Sequence, residues 1–277
     1  MICKLILNSG QRFKVENPLI FKMLSEIQKG VCNIDEIREN LGIGKNKIET
    51  YNYYLRIMGL VEYKNKEFCL TDFGNYILKL VDYPDIYQPL LYYKLCRGWE
   101  NGGHFYYSRI VNNILYNRYF SAENTIENSE IKDKLLDFKS EYEKLDVKLV
   151  SLVTKGISSN EGFGYLGILN QESRSKYTIY SYRPNHLACT YIIYDRWPKG
   201  STTVSFDSIV YDEYNLGRIF FLTENEVIAI FSKLQQENYI KIEDKAGLRQ
   251  IAKNPNITTD NILEEILNEY FSNTFSG

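Results

Sequence analysis

The chain has 277 residues, enough for a sizeable core and for two or three small domains. A formal net charge of −2 excludes a general polycation, so any contact with nucleic acid has to come from a local patch. Five cysteines (Cys3, Cys32, Cys69, Cys96 and Cys189) with no close pair exclude a zinc knuckle and a redox motif, and their odd count argues against a disulfide framework.

In chain order, Met1–Leu7 is apolar and suits an edge strand. Pro18–Lys29 reads as a helix: proline fits the first turn, Leu19, Phe21, Met23, Leu24 and Ile27 supply an inner face, and Gly30 stops it. Ile34–Asn40 is a short helix capped by Asn33, followed by the tight turn Leu41-Gly42-Ile43. A longer helix opens on Gly44-Lys45-Asn46. Its residues Ile48, Tyr51, Leu55 and Met58 fall at steps of three and four on one stripe, and Gly59 ends it. Two short strands, Leu60–Tyr63 and Glu67–Leu70, flank the polar turn Lys64-Asn65-Lys66. Helix, turn, helix and a hairpin with a basic tip predict a winged helix-turn-helix.

Thr71 caps a further helix to Leu80. Pro84 and Pro89 bracket a turn into the helix Leu90–Trp99, and Phe105–Tyr119 is helical by period. Glu127–Leu145 is a charged helix with Ile131, Leu135, Phe138 and Tyr142 on one side. Val147–Val153 either continues as helix or forms a strand. Gly156–Gly167, rich in Ser, Gly and Asn, is a loop and a domain boundary. Beyond it Ser175–Tyr182 alternates like a strand, Leu187–Trp197 is an apolar run of either type, and Val204–Tyr214 is a short helix. Thr223 caps Glu224–Glu237, Tyr239–Glu243 is a strand, Gly247 turns the chain, and Ile262–Phe271 is an amphipathic helix. Helix, turn, longer helix, strand and turn repeat the first plan, so a second winged helix is expected here. No apolar stretch reaches the roughly 18 residues of a membrane helix and no leader opens the chain, which predicts a soluble, cytoplasmic protein.

Three segments stand in an order and spacing that carry a family resemblance. They are LGIGKNKI (41–48) with Leu70-Thr71-Asp72-Phe73-Gly74; LDVKLVSLV (145–153) with Phe163-Gly164-Tyr165-Leu166-Gly167; and Gly217-Arg218-Ile219-Phe220 with Asp244-Lys245-Ala246-Gly247-Leu248-Arg249-Gln250. Together they resemble the bacterial family labelled domain of unknown function 4007 (DUF4007), whose genes lie beside DNA phosphorothioation genes. Members begin with a Ser-Gly-His-Glu-Thr-Phe-like element. Here Ser9-Gly10-Gln11-Arg12-Phe13 stands in its place, one residue shorter and without the histidine. If that histidine has a chemical role, this chain has lost it or solved it otherwise. The resemblance implies a part in sulfur modification of the DNA backbone or in linked phage defence, with nicking of one strand as the role suggested for members.

The residues offer their own candidates. Lys45, Asn46 and Lys47 open the predicted recognition helix, whose first turn presents unpaired amides and side chains to phosphate and base edges. Arg56 and the wing lysines Lys64 and Lys66 would reach flanking phosphates. From Arg38 to Glu67 six basic residues face four acidic ones, a local excess of +2; a solvated face used for protein contacts fits the same pattern. GIGKNK is no phosphate loop, because Asn46 follows the lysine and the first glycine is missing. Gly162, Gly164 and Gly167 match the dinucleotide spacing, but close helix packing is the better account. With only His104 and His186 present, a histidine-rich metal site is excluded, and His104 suits an ordinary, partly buried role.

A metal-dependent nuclease needs clustered carboxylates, often with a lysine. Glu243-Asp244-Lys245 at a strand end, with Asp207, Asp212 or Glu213, is the best arrangement available, though a polar wing tip explains the same residues. Arg218 and Arg249 are candidates for gripping phosphate or for salt bridges within the second module.

The expected architecture is mainly α (α+β): a winged helix-turn-helix in 1–82, a helical middle in 83–156, and a winged-helix-like unit in 157–277. The expected function is binding double-stranded DNA in a phosphorothioation or phage-defence system as its strand-nicking component, with Mg or Mn if it cleaves. An ATPase and a sulfurtransferase-type enzyme are the expected partners. The alternatives are a winged-helix transcriptional regulator without catalysis, and an adaptor for modification enzymes.

Overall fold

A computed structural model describes residues 13–64, 67–139, 145–245 and 248–274, with the side chains of 244, 245, 248 and 272–274 left out. The expected strand Met1–Leu7, the Gln11 region, Lys66 and Gly247 therefore lie outside the described residues.

The first third follows the local signals. Helix α1 (Asn17–Gln28) has Pro18 in its first turn and buries Leu19, Ile20, Phe21, Met23, Leu24 and Ile27. Helix α2 (Ile34–Leu41) starts where the Asn33 side chain accepts from Asp35 N and ends on Gly42 at φ 62°. Helix α3 (Lys45–Ile57) starts from Gly44 and buries Ile48, Thr50, Tyr51, Tyr54 and Leu55. Strands β1 (Val61–Lys64) and β2 (Glu67–Leu70) pair antiparallel from Val61 opposite Leu70 to Lys64 opposite Glu67. Helix α4 (Asp72–Lys79) is capped by Thr71, whose hydroxyl accepts from Gly74 N.

The middle departs from the sequence expectation at several points. The two prolines do not bracket a turn. Helix α5 (Pro84–Cys96) contains both, with Pro84 in the first turn, where no bond is lost, and Pro89 inside. Burial outweighs the missing Pro89 donor, since every residue from Ile86 to Cys96 is buried. The run 105–119 is helical throughout but not uniform: α6 (Phe105–Arg109) and α7 (Tyr116–Tyr119) flank a π-helical segment at Ile110–Leu115. Strand β3 (Thr125–Glu127) is not among the expected elements and takes in Glu127, the first residue of the expected charged helix; α8 (Asn128–Leu136) follows it. The 3₁₀ turn Val147–Leu149 leads into α9 (Val150–Ser158), so Gly156 is helical and the expected loop starts later.

Strands β4 (Leu169–Gln171) and β5 (Lys176–Ile179) complete an antiparallel sheet in the order β3-β5-β4. This sheet joins segment 83–156 to segment 157–277. The apolar run at 187 becomes α10 (His186–Asp195), on which Leu187–Tyr194 are buried all round. Then come β6 (Thr203–Ser205), α11 (Phe206–Tyr211), α12 (Leu216–Phe220) and α13 (Glu224–Gln236), the last opened by a Thr223/Glu226 capping box. The hairpin β7 (Ile240–Lys245) and β8 (Leu248–Lys253) takes β6 along its other edge, in the order β6-β8-β7. Finally α14 (Thr259–Thr274) packs on α10 and back on α4. The buried apolar residues form one contiguous cluster running from Val15 to Ile266.

Candidate functional site

One face of α3 is open. Gly44, Lys45, Asn46, Glu49 and Arg56 are exposed, while the residues between them point inward or are half-buried. Lys45, Glu49 and Arg56 are separated by one turn and then two, so they share a stripe. Gly44 brings no capping side chain to the helix start. Lys45 and Arg56 have no ion pair among the described residues, and Glu49 lies between them.

The inner side of α3 is fixed by the segment before α1. Tyr51 and Tyr54 donate to the Lys14 and Phe13 carbonyls at 2.9 and 3.0 Å. That segment is anchored in turn by Lys14 to Glu161 (2.5 Å) and by the Asn17 amide to the Gly162 carbonyl (2.5 Å). Lys47 belongs to this inner network. It is half-buried, 2.9 Å from the Glu16 carboxylate and within 6 Å of the Phe13 and Tyr51 ring centres. Of the sequence candidates here, Lys45, Asn46 and Arg56 lie on the open face and Lys47 does not. Lys64, at the start of the hairpin tip, is exposed and paired with Glu62 at 2.7 Å.

The candidates of the last third are dispersed. The Glu213 carboxylate accepts from Asn113 Nδ2 (2.5 Å) and Arg109 (3.4 Å). Arg218 donates to the Asn112 and Tyr211 carbonyls at 2.7 and 3.1 Å and lies 4.4 Å above the Tyr116 ring. Arg249 pairs with Glu224 at 2.5 Å and covers the Phe206 ring at 4.1 Å. Glu243 accepts from Lys241 at 3.0 Å. Asp207 and Asp212 are exposed on α11 and at its end, while the side chains of Asp244 and Lys245 lie outside those described. Among the described residues no three histidine, cysteine or carboxylate groups come together as a metal site.

The profile of the family described as "Protein of unknown function (DUF4007)" matches residues 11–271, nearly the whole chain. The chain belongs to this family. Its DUF4007 fold is similar to two solved structures, described as the SspB crystal structure and the magnesium ion-bound SspB crystal structure. The TM-score is 0.66 in each case, with 16% and 17% identity over 93% of this chain and 86% of each neighbour. At that identity the likeness is one of fold. No curated protein matches the chain in sequence. Among its described residues, no helix is long and apolar enough to cross a membrane.

Two polar clusters inside this DUF4007 chain escaped the sequence reading. In one, Asp195 at the end of α10 receives Tyr93 Oη (2.5 Å), Lys94 Nζ (2.9 Å) and Arg97 (3.4 Å) from α5 and its end. Burial pushes Lys94 down to about 8 against the pull of Asp195. Burial works to raise the Asp195 carboxyl, but Lys94, Tyr93 and Arg97 bring it below the usual range. The signal was a lysine inside the apolar run LLYYKLC and an aspartate closing another, and neither names its partner. In the second cluster Asn112, inside the π segment, donates to the Cys96 and Ser108 carbonyls and accepts from Tyr214 N at 2.8 Å.

His104 is buried between α3 and α6, 5.6 and 5.8 Å from Tyr53 and Tyr54, and its Nδ1 caps α6 by accepting from Tyr107 N. Burial lowers its pKa to about 3. Between pH 6.5 and 3 the unfolded histidine binds a proton that the folded one refuses, so the group withdraws stability as the pH falls through that window. His104→Asn keeps a capping acceptor and removes the titration. Its unfolding free energy from urea melts should fall less steeply with acid, by up to about 1.4 kcal/mol per pH unit. Parallel slopes for variant and wild type would contradict the buried, neutral state.

Proposed function

We propose that this protein docks on double-stranded DNA through α3, as a winged helix, within a system that modifies or defends DNA. The observation that carries the reading is the open stripe bearing Lys45 and Arg56, beside a hairpin that starts its tip with exposed Lys64. A helix start without a capping side chain, with Lys45 free of an ion pair among the described residues, is suited to phosphate. The helices α2 and α3 followed by β1 and β2 support the winged-helix reading. Helices α11 to α13 with β7, β8 and the third strand β6 support a second such unit. Family membership supports a place near DNA sulfur modification, with strand nicking as the activity and an ATPase and a sulfurtransferase-type enzyme as partners.

Magnesium is named with one structural neighbour. Among the described residues no three carboxylate, histidine or cysteine groups meet as such a site, and Glu213 and Glu243 are already engaged by Arg109 and Lys241. That occupancy favours a second reading, a DNA-binding regulator without chemistry. Supercoiled plasmid incubated with the protein and Mg or Mn distinguishes the two, since a nickase produces open circles and a regulator leaves the supercoil intact.

For the shared docking step, Lys45→Glu with Arg56→Glu should weaken retention of a duplex at low salt by roughly tenfold or more. The melting temperature should stay unchanged, because both side chains are exposed. Glu49→Gln should strengthen retention. Unaltered retention in the double variant would remove α3 from the interface.

A further inference from the structure

A cavity of about 310 Å³ opens between the end of α10, the loop after it and the α11–α12 turn. Ile192, Ile209, Leu216 and Trp197 give it an apolar wall. Two charged side chains line it without a side-chain hydrogen bond or ion pair among the described residues: Arg196, whose Nε is shut off from solvent, and the exposed Asp212. Other polar groups at its edge are satisfied. Glu213 is held by Arg109 and Asn113, and the Ser208 hydroxyl and Asn215 amide donate to main-chain carbonyls.

A guanidinium N–H taken out of water with nothing to receive it is unfavourable, and such groups are rare in folded chains. The wall beside it is held in shape. Tyr214 sits at φ 68°, a region side-chain-bearing residues avoid, and is kept there by its N–H bond to Asn112 Oδ1 in the π segment. A strained loop pinned from a neighbouring helix, an apolar wall and a guanidinium Nε–H without an acceptor together describe a preformed pocket of ligand size.

We infer that this cavity binds a small molecule with an anionic group at one end and an N–H donor at the other. The anion pairs with the planar fork of Arg196, the donor faces Asp212, and the body lies against Ile192, Ile209 and Leu216. Two sources carry that chemistry: a free amino acid, through its carboxylate and ammonium, and a nucleoside monophosphate, through its phosphate and an amino-bearing base.

The test titrates the full chain by calorimetry with a panel of free amino acids and a panel of deoxynucleoside 5′-monophosphates. At least one probe should bind with a Kd below a millimolar, and the panel it belongs to names the source. Arg196→Gln should weaken that binding roughly tenfold to a hundredfold, the usual loss for a charge-assisted pair. Asp212→Asn, at an exposed position that leaves folding intact, should weaken it as well, while Val204→Phe should block it by filling the cavity. Failure of every probe to saturate, or equal binding by wild type and both polar variants, would overturn the assignment.

Discussion

Replacing Asp195 by Asn is expected to destabilise the folded chain by about 3–5 kcal/mol at neutral pH, the usual result of stranding one member of a buried ion pair. Lys94 is only 7% exposed in its side chain and Asp195 22%, so water cannot take the carboxylate's place. The loss should carry a pH signature. Burial, with the neighbouring Arg97 charge, holds Lys94 below its ordinary 10.5, and Asp195 raises it partway back, to about 8. Without that charge the folded lysine deprotonates earlier, while the unfolded one keeps its proton up to 10.5. Stability of the variant relative to wild type should therefore recover with rising pH up to about 8, where the wild-type lysine itself deprotonates, and stay level above that. Lys94→Met combined with Asp195→Asn should regain much of the loss at every pH. Urea melts across that range check both statements, and a penalty independent of pH would show that Lys94 is not the stranded partner.

Gly162→Ala is the second large effect expected, a loss of about 3 kcal/mol or more from overpacking against main chain. A Cβ on Gly162 would strike the Gly156 carbonyl, and one on Gly156 would strike the Tyr107 hydroxyl. Around these two glycines, Phe163 N donates to the Gly156 carbonyl at 2.9 Å and Asn17 Nδ2 to the Gly162 carbonyl at 2.5 Å. Overpacking should act on the α3 support as well, because Lys14 and Asn17 hold that segment to residues 161 and 162. Thermal melts of Gly162→Ala, with Gly167→Ala as a comparison where nothing stands within 4 Å, separate steric conflict from the strain of Gly167's φ of 62°.

These two sites mark where sequence reading succeeds and where it stops. Helix ends were legible because their causes are local: Asn33, Thr71 and Thr223 accept from amides two or three residues on, and Gly42 takes a left-handed turn. Of the glycines 162, 164 and 167 read as packing residues, Cβ atoms at 162 and 164 would meet main chain, whereas Gly167 has open space around it and serves a left-handed turn at φ 62°. Pro89 misled because its local penalty is real, yet eleven consecutive buried residues override it. The π segment left no local mark, since its shape depends on Tyr214 and Arg218, about a hundred residues further along the chain.

The candidate site divides the same way. Helical period placed Ile48, Tyr51, Leu55 and Met58 on the inner face, and their burial agrees. Nothing local could show that Glu16 would claim Lys47, because the partner sits across a fold and not across a turn. Arg218 and Glu213 carried the right chemistry for a nucleic-acid or metal role, but the π segment had already taken them up.

The last helix has a consequence for how the protein is made. Tyr270 donates to Asp85 at 2.6 Å across 185 positions, and Tyr76 meets Glu264 at 3.4 Å across 188. A ribosome adding about 5–20 residues per second needs roughly 10 to 40 seconds to deliver that cover. Throughout this interval α4 and the start of α5 present greasy surface from a growing chain. A transcript truncated before α14 releases a polypeptide with that surface bare, a substrate for holdases and proteases.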